Sequence, residues 1–275
     1  MNEVEIEARL AVARGVVREA GAVALRHFRT RDTLTVEQKG PQDLVSRADR
    51  ESEATIRARL AVAFPSDPVL GEEEGGVEAD RLWVIDPIDG TANFLKGMPY
   101  WCVALAFVAD GATRFALTYD PVHDELFEAR KGRGATRDGR PIRLAERPFS
   151  SACVGFSHNF KTPAEPYLEA MRRLLEAGVD HRRMGSAALT FAHVADGRLD
   201  AAIAFRTNAW DVLGGLLLVE EAGGCATPFL DGRPLLERRT VMAGAPDLVT
   251  LLAGTDGRLA GGPRIRIREP STTRG

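Results

Sequence analysis

A chain of 275 residues, 44% hydrophobic and 27% charged, is too apolar for disorder and large enough for one big core or two joined subdomains. Its net charge of -3 and lack of a long basic run give no electrostatic case for nucleic acid or an anionic membrane, and point to small solutes as partners. Cys102, Cys153 and Cys225 are odd in number, far apart and set among apolar residues, so buried reduced thiols of a cytoplasmic protein are expected. The acidic, amphipathic start MNEVEIEARL and the lack of an apolar run near ~20 residues indicate neither export nor membrane spanning.

From Val4 to Phe28 apolar residues recur at Ile6, Leu10, Val17, Ala20, Ala24 and Phe28, the spacing of a helix with one core face. A strand-like LTV (34 to 36) follows, then a flexible tip, Lys39-Gly40-Pro41, carrying one cation. DLVSRADRESEATIRARLAVAF predicts a second amphipathic helix with Ile56, Leu60 and Val62 inward and Asp49 in its early turns, where a carboxylate complements the helix dipole. Val69-Leu70-Gly71 leads into Glu72-Glu73-Glu74, which read alone is a solvated acidic loop. Val84 and Ile85 close a buried strand that Asp86-Pro87 breaks. The chain turns there, Asp89 caps a new helix, and Gly90 lets backbone N–H groups approach a ligand.

Segments 101 to 108, 114 to 119 and 125 to 129 read as strands of an antiparallel meander, and Asp138-Gly139 as a hairpin turn. The glycines of KGRGATRDGRPIRL miss the GxGxxG spacing of a dinucleotide loop. From about Ser150 the pattern alternates: strand 152 to 157, helix 164 to 176, strand 179 to 184, helix 187 to 195, strand 199 to 205. Asp211, on its own merely a helix cap, opens VLGGLLLVEEA, which Gly223-Gly224 closes. A strand (240 to 244) and a helix (246 to 253) precede a Gly-, Pro- and Arg-rich end, expected to be loosely ordered from Gly254. An N-terminal subdomain over 1–150 and an alternating one over 151–275 are expected.

Two carboxylates three residues apart at a strand end, Asp86 and Asp89, beside a helix start, place metal-binding oxygens next to an anion cradle. GEEEG, WVIDPIDGTANF and WDVLGGLLLVEEAGG, in that order and spacing, resemble the signatures of the inositol monophosphatase family, from about Lys39 to Ala245. DLVSRAD and GRGATRDGRPIRL are similar to it as well. The resemblance implies an α/β (α+β) fold, a layered αβαβα sandwich, and Mg²⁺-dependent hydrolysis of a small phosphate monoester.

It further implies that Glu72, Asp86, Asp89 and Asp211, with the Ile88 carbonyl, ligate two or three Mg²⁺ ions. Gly90 and Thr91 would hold phosphate, Asp49 and Thr91 with Glu72 would prepare the attacking water, and Gly185, Ser186, Ala187, Ala204 and Arg206 would contact substrate. Lithium sensitivity and a homodimer are implied by the same analogy. The resemblance also implies direct attack by water, without a phosphoenzyme. DPID lacks the DxD of aspartyl-phosphate enzymes, and Gly155-Phe156-Ser157-His158 is not GxSxG. The five histidines, His27, His123, His158, His181 and His193, are expected as surface or packing residues.

Two other readings stay open: a 3'-phosphonucleotide phosphatase, and a regulatory protein that keeps the fold without turnover. Inositol-handling members carry a glutamate seven residues before the aspartate of WD, and here that position is Ala204. A methyl group cannot accept substrate hydroxyls. Inositol 1-phosphate is therefore expected not to be the best substrate, with histidinol phosphate one candidate and Arg206 and Asn208 available to another leaving group.

Overall fold

The computed structural model describes residues 1–31, 36–40, 43–145, 147–158 and 162–254, with backbone alone for 36–45 where described. Among the described residues, two large sheets and six of the seven α-helices stack as α, β, α, β, α, beside a two-stranded ribbon and a short helix. Helices α1 (Glu3–Arg29) and α2 (Arg47–Ala63) form the first layer. Residues Asn2 and Glu5, and Ser46 and Asp49, close reciprocal capping boxes that fix where each helix starts. The cap at Ser46 begins α2 four residues later than the amphipathic pattern suggests, because Asp43–Ser46 (β2) pairs antiparallel with Val36–Gly40 (β1). Lys39-Gly40 therefore belongs to a strand, while Leu34, Thr35 and Pro41 lie outside the described residues. Ile56 and Leu60 point inward as expected, but Val62 is exposed on the opposite face of α2.

The second layer is a seven-stranded sheet in the order β3 (Val69–Gly71), β4 (Arg81–Asp89), β5 (Cys102–Ala109), β6 (Ala112–Asp120), β7 (Glu125–Arg130), β8 (Gly134–Arg137) and β9 (Arg140–Ile142). Strand β3 runs parallel to β4, and the rest is the expected meander. Asp138 and Gly139, both with positive φ, make its last tight turn. Trp83, Ile85, Phe107 and Phe115 face α1 and α2, while Leu82, Val84, Ala104 and Ala106 face the middle helices. Both faces are covered, so β5 reads as an unbroken apolar run.

The middle layer is α5 (Ala187–Ala195) and α6 (Ala209–Glu221). A helix between two sheets has no solvent face, which is why α6 is apolar nearly all round. The fourth layer is a five-stranded sheet ordered β11 (Asp180–Arg182), β10 (Cys153–His158), β12 (Ala201–Thr207), β14 (Arg239–Gly244) and β13 (Cys225–Ala226). Strands β10, β11 and β12 are mutually parallel, as alternation with α4 (Ala164–Glu176) and α5 requires. Helices α4 and α7 (Pro246–Ala253) cover the outer face through Val154, Phe156, Ile203 and Met242. The Gly254-onward tail lies largely outside the described residues. Among those described, no helix is long and apolar enough to cross a membrane.

Candidate active site

Strand β4 does not end at Pro87. It continues to Asp89 through a bulge between Asp86 and Asp89, where a residue without an N–H is tolerated. Asp86 keeps the side of Leu82 and Val84, toward the middle layer, and its Oδ1 accepts the Ile88 N–H at 3.0 Å. Gly90 then sits at φ 102°, and an added Cβ would lie 3.1 Å from the Tyr100 carbonyl and 3.2 Å from Ser186 and Trp101. Glycine is required there on both counts. The short helix α3 (Thr91–Leu95) starts directly after it, with Gly90 as its cap.

Asp89 therefore does not cap α3. Its Oδ2 accepts Ser186 Oγ at 2.5 Å and the Ala188 N–H at 2.6 Å, so it serves the start of α5. Asp211 likewise lies one turn inside α6, whose cap is Asn208. Its Oδ2 accepts the Asn208 N–H at 2.9 Å and Thr207 Oγ1 at 2.6 Å. Strands end and helices begin at the same edge of both sheets, and this convergence brings three distant segments together. Side-chain oxygens of Glu72, Asp86 and Asp211 lie within 4.8 Å of one another.

These acids face a cavity of about 560 Å³, also lined by Ile88, Asp89, Gly90, Thr91, Gly185 and Ala187. Burial first, and then the neighbouring carboxylates, push the Glu72 and Asp86 carboxyls well above the usual carboxylate range. Burial followed by the charge of Asp211 raises Asp89 to about 7, against the bonds from Ser186 and Ala188. Asp211 is raised by burial, and Thr207, Asn208 and Arg238 restrain it. Two like charges at 4 Å repel by ~4 kcal/mol at an effective dielectric of 20, so this cluster is adapted to positive counter-charge.

Beside it, the buried Asp49 carboxylate accepts both the N–H and the hydroxyl of Ser46 through Oδ2, at 2.8 and 2.7 Å. Its Oδ1 lies 3.2 Å from Thr91 Oγ1, which is also 3.1 Å from the Ile88 carbonyl. Burial raises the Asp49 pKa, and the bonds from Ser46 and Thr91 oppose that.

Other expected residues fall elsewhere. Ala204 is completely buried in the core between the five-stranded sheet and the middle helices, and does not line the cavity. Arg206 is exposed, at φ 46°, where β12 slips its register against β14, and is also absent from the cavity wall. Residues that sequence reading passed over do line it, Lys96, Arg183 and Arg238, and so does His158, expected there only as a surface or packing residue. Asn93 adds a clamp, donating to the Tyr100 and Met184 carbonyls at 2.8 Å each and so tying α3 to the loop before α5. Glu53, fully buried, holds the turn that carries Glu72; its one sequence signal is the i,i+4 spacing to Arg57.

A layered αβαβα sandwich with carboxylates gathered where its strands end is the architecture of a metal-dependent phosphatase class. Residues 5–256 match the model of the inositol monophosphatase family, and the chain belongs to that family. It is 38% identical over 245 residues to the Nus factor SuhB of Pseudomonas aeruginosa, covering 86% of this chain and 90% of the relative. It is 35% identical over 246 residues to the Nus factor SuhB of Escherichia coli, covering 87% and 92%. Among solved structures, the extragenic suppressor protein suhB of Bartonella henselae superposes with a TM-score of 0.82 at 32% identity, over 89% of this chain and 97% of that one. The IMPase of Thermotoga maritima gives 0.78 at 31%, over 89% and 96%.

These names correct one expectation. Relatives called Nus factors belong by name to transcription, which overturns the exclusion of nucleic acid drawn from the charge balance. Net charge averages over the whole surface, and it constrains neither a local patch nor a protein partner that itself carries nucleic acid.

Proposed function

We propose that the chain is a Mg²⁺-dependent phosphomonoesterase acting on a small alcohol phosphate. The observation that carries this reading is the meeting of Glu72, Asp86 and Asp211 within 4.8 Å on a cavity shared with Asp89 and the first turn of α3. The converging donors are carboxylate oxygens, with the Ile88 carbonyl alongside. That set fits a hard cation, Mg²⁺ before Zn²⁺, and two or three ions would balance its charge. When bound, such ions polarise the phosphoryl group, activate water and neutralise the leaving oxygen.

The chain's own groups do the rest. The Gly90, Thr91 and Ala92 N–H groups open a helix and have no acceptor within it, so they are available to phosphoryl oxygens. Thr91 Oγ1, held between Asp49 and the Ile88 carbonyl, orients the attacking water, and Asp49 takes its proton. Glu72, in the acid cluster on the same cavity, is the third group of that step. Water attacks phosphorus in line, and the alcohol departs with no covalent intermediate on the protein.

The test is phosphate release from a panel of alcohol phosphates and adenosine 3',5'-bisphosphate, with Mg²⁺ and after chelation. Release that needs Mg²⁺ and falls with millimolar Li⁺ is expected; no Mg²⁺-dependent release from any member of the panel overturns the reading. The names of the relatives favour a second role beside turnover, in transcription. Association of the chain with transcribing RNA polymerase, retained by an Asp86→Asn variant, would separate that role from the chemistry; no association in pull-down would remove it.

A further inference from the structure

Ser186 is 1% exposed and, unlike its neighbours Gly185 and Ala187, does not line the cavity. Its hydroxyl meets Asp89, 97 residues earlier in the chain, whose Oδ2 accepts Ser186 Oγ at 2.5 Å and the Ala188 N–H at 2.6 Å. The Leu189 N–H donates to the same serine oxygen at 3.3 Å, as the cap of α5, while the single hydroxyl proton goes to the carboxylate. Cys102 Sγ, from β5, lies 3.9 Å from Asp89 Oδ2 and 3.7 Å from Ser186 Oγ. Thr190 Oγ1 donates to the Ser186 carbonyl at 2.5 Å, and a Cβ at Gly90 would lie 3.2 Å from the serine Cβ. The serine has little room to move.

We propose that Ser186 is a positioning residue, whose hydroxyl holds the Asp89 carboxylate in the orientation that serves a bound cation; the proposal rests on the reading of Asp89 as a cation ligand in the phosphatase site. A carboxylate is planar, so two donors on Oδ2 fix Oδ1 as well. Without the hydroxyl, backbone donors at the start of α5 are left to hold the group, and a cation must restrict the remaining rotation as it binds. Partners that orient a metal ligand in this way are worth about ten- to a hundredfold in metal affinity. Absence from the cavity wall sets the role apart from the substrate contact that the family resemblance implies for Ser186.

Ser186→Gly separates the two tasks of the hydroxyl, since glycine is nearly as good a helix cap but has no donor for Asp89. Mg²⁺ binding to this variant, measured by calorimetry without substrate, should be about tenfold weaker than wild type, while the urea midpoint stays close to it. Kinetics should divide in the same way: more Mg²⁺ for half-maximal activity, with KM for the phosphate ester unchanged once Mg²⁺ is saturating. In an Asp89→Asn background the serine substitution should change Mg²⁺ binding by less than about twofold. Ser186→Ala carries the same forecast for Mg²⁺ at a lower urea midpoint, and tests the role where the glycine variant fails to fold. Unchanged Mg²⁺ binding, an equal loss in the Asp89→Asn background, or a raised KM at saturating Mg²⁺ overturns the proposal, the last in favour of a substrate contact. Weaker Mg²⁺ binding in a chain that releases no phosphate from any ester would keep the positioning role and sink the phosphatase reading; unchanged Mg²⁺ binding beside Mg²⁺-dependent release would do the reverse.

Discussion

The Glu53 carboxylate accepts the Glu73 backbone N–H at 2.9 Å, and in doing so fixes the turn whose preceding residue is Glu72. It also accepts the Glu74 N–H at 3.1 Å and pairs with Arg57 at 2.7 Å. The clamp leaves no room at Gly71, where a Cβ would lie 2.4 Å from Glu53 Oε1. In Glu53→Ala two N–H groups lose their acceptor, and Arg57 keeps the Val69 and Gly75 carbonyls and Glu74, at 3.4 Å, as its partners. We expect a loss of ~3 kcal/mol in urea unfolding, and the Mg²⁺ concentration for half-maximal activity of the folded variant raised about tenfold. An unchanged Mg²⁺ requirement would show that the Glu72 turn holds itself.

Asp86 is buried among like charges, its pKa raised by burial and then by Glu72, Asp89 and Asp211. Asp86→Asn should lower kcat by a hundredfold or more, a loss above ~2.7 kcal/mol in transition-state stabilisation. In chelator the same variant should melt higher than wild type, because it removes a like charge from a buried group. Melting curves with and without Mg²⁺ check both halves. Retention of a tenth of the activity, or a lower melting point in chelator, would contradict the placement.

Much of this arrangement was legible from sequence where local periodicity or a fixed spacing decides. The meander from β4 to β9 and the alternation of β10, β11 and β12 with helices follow directly from apolar pattern and turn residues. Asp86 and Asp89 stood out by their spacing of three residues, whereas Glu72 and Asp211, read alone as a loop and a cap, joined them only through the family resemblance. Pro87 misled, since its ring is tolerated at a bulge that only pairing with β5 reveals. Cap geometry was misplaced at Asp211, because a carboxylate three residues inside a helix and one at its cap look alike in a single sequence, and at Asp89, because its oxygen serves the start of α5, far away in the chain. Lys96, Arg183 and Arg238 could not be gathered at all; they are far apart in sequence and meet only where the strands end. Ala204 fell in the right strand but on the core side of its sheet, which parity alone leaves undecided without the partner layers.

His193 offers a pH dependence away from the acids. Its Nε2 lies 2.9 Å from Arg198 Nη1, which can only donate, so the ring is neutral with its proton on Nδ1, 3.2 Å from Tyr100 Oη. Burial, then the Arg198 charge, lowers its pKa from 6.5 to about 4. The unfolded chain therefore takes up a proton near 6.5 that the native state refuses until about 4. Stability from this group is full above pH 6.5 and is lost as pH falls toward 4, by at most ~3 kcal/mol. His193→Gln should flatten that part of the acid limb in urea unfolding at successive pH values. If the variant and wild type lose stability in parallel between pH 6.5 and 4, the histidine is not the group responsible.

Asp211 separates a structural from a chemical role in one substitution. As the third residue of α6 it accepts the Asn208 N–H at 2.9 Å, the return bond of a capping box, and Thr207 Oγ1 at 2.6 Å from just before the cap. Asparagine at this position keeps a carbonyl oxygen for both bonds, so a pure capping role costs within ~0.5 kcal/mol of stability and no activity. A ligand role predicts the opposite. The amide removes one of the charges gathered with Glu72 and Asp86 within 4.8 Å, which weakens cation binding and leaves the developing charge on phosphorus less well balanced. We therefore expect Asp211→Asn to keep or raise its melting point in chelator, to need more Mg²⁺, and to lose at least tenfold in kcat at saturating Mg²⁺. Kinetics at saturating Mg²⁺ equal to wild type would return Asp211 to the cap of a helix, and would leave Glu72 and Asp86 to hold the site without it.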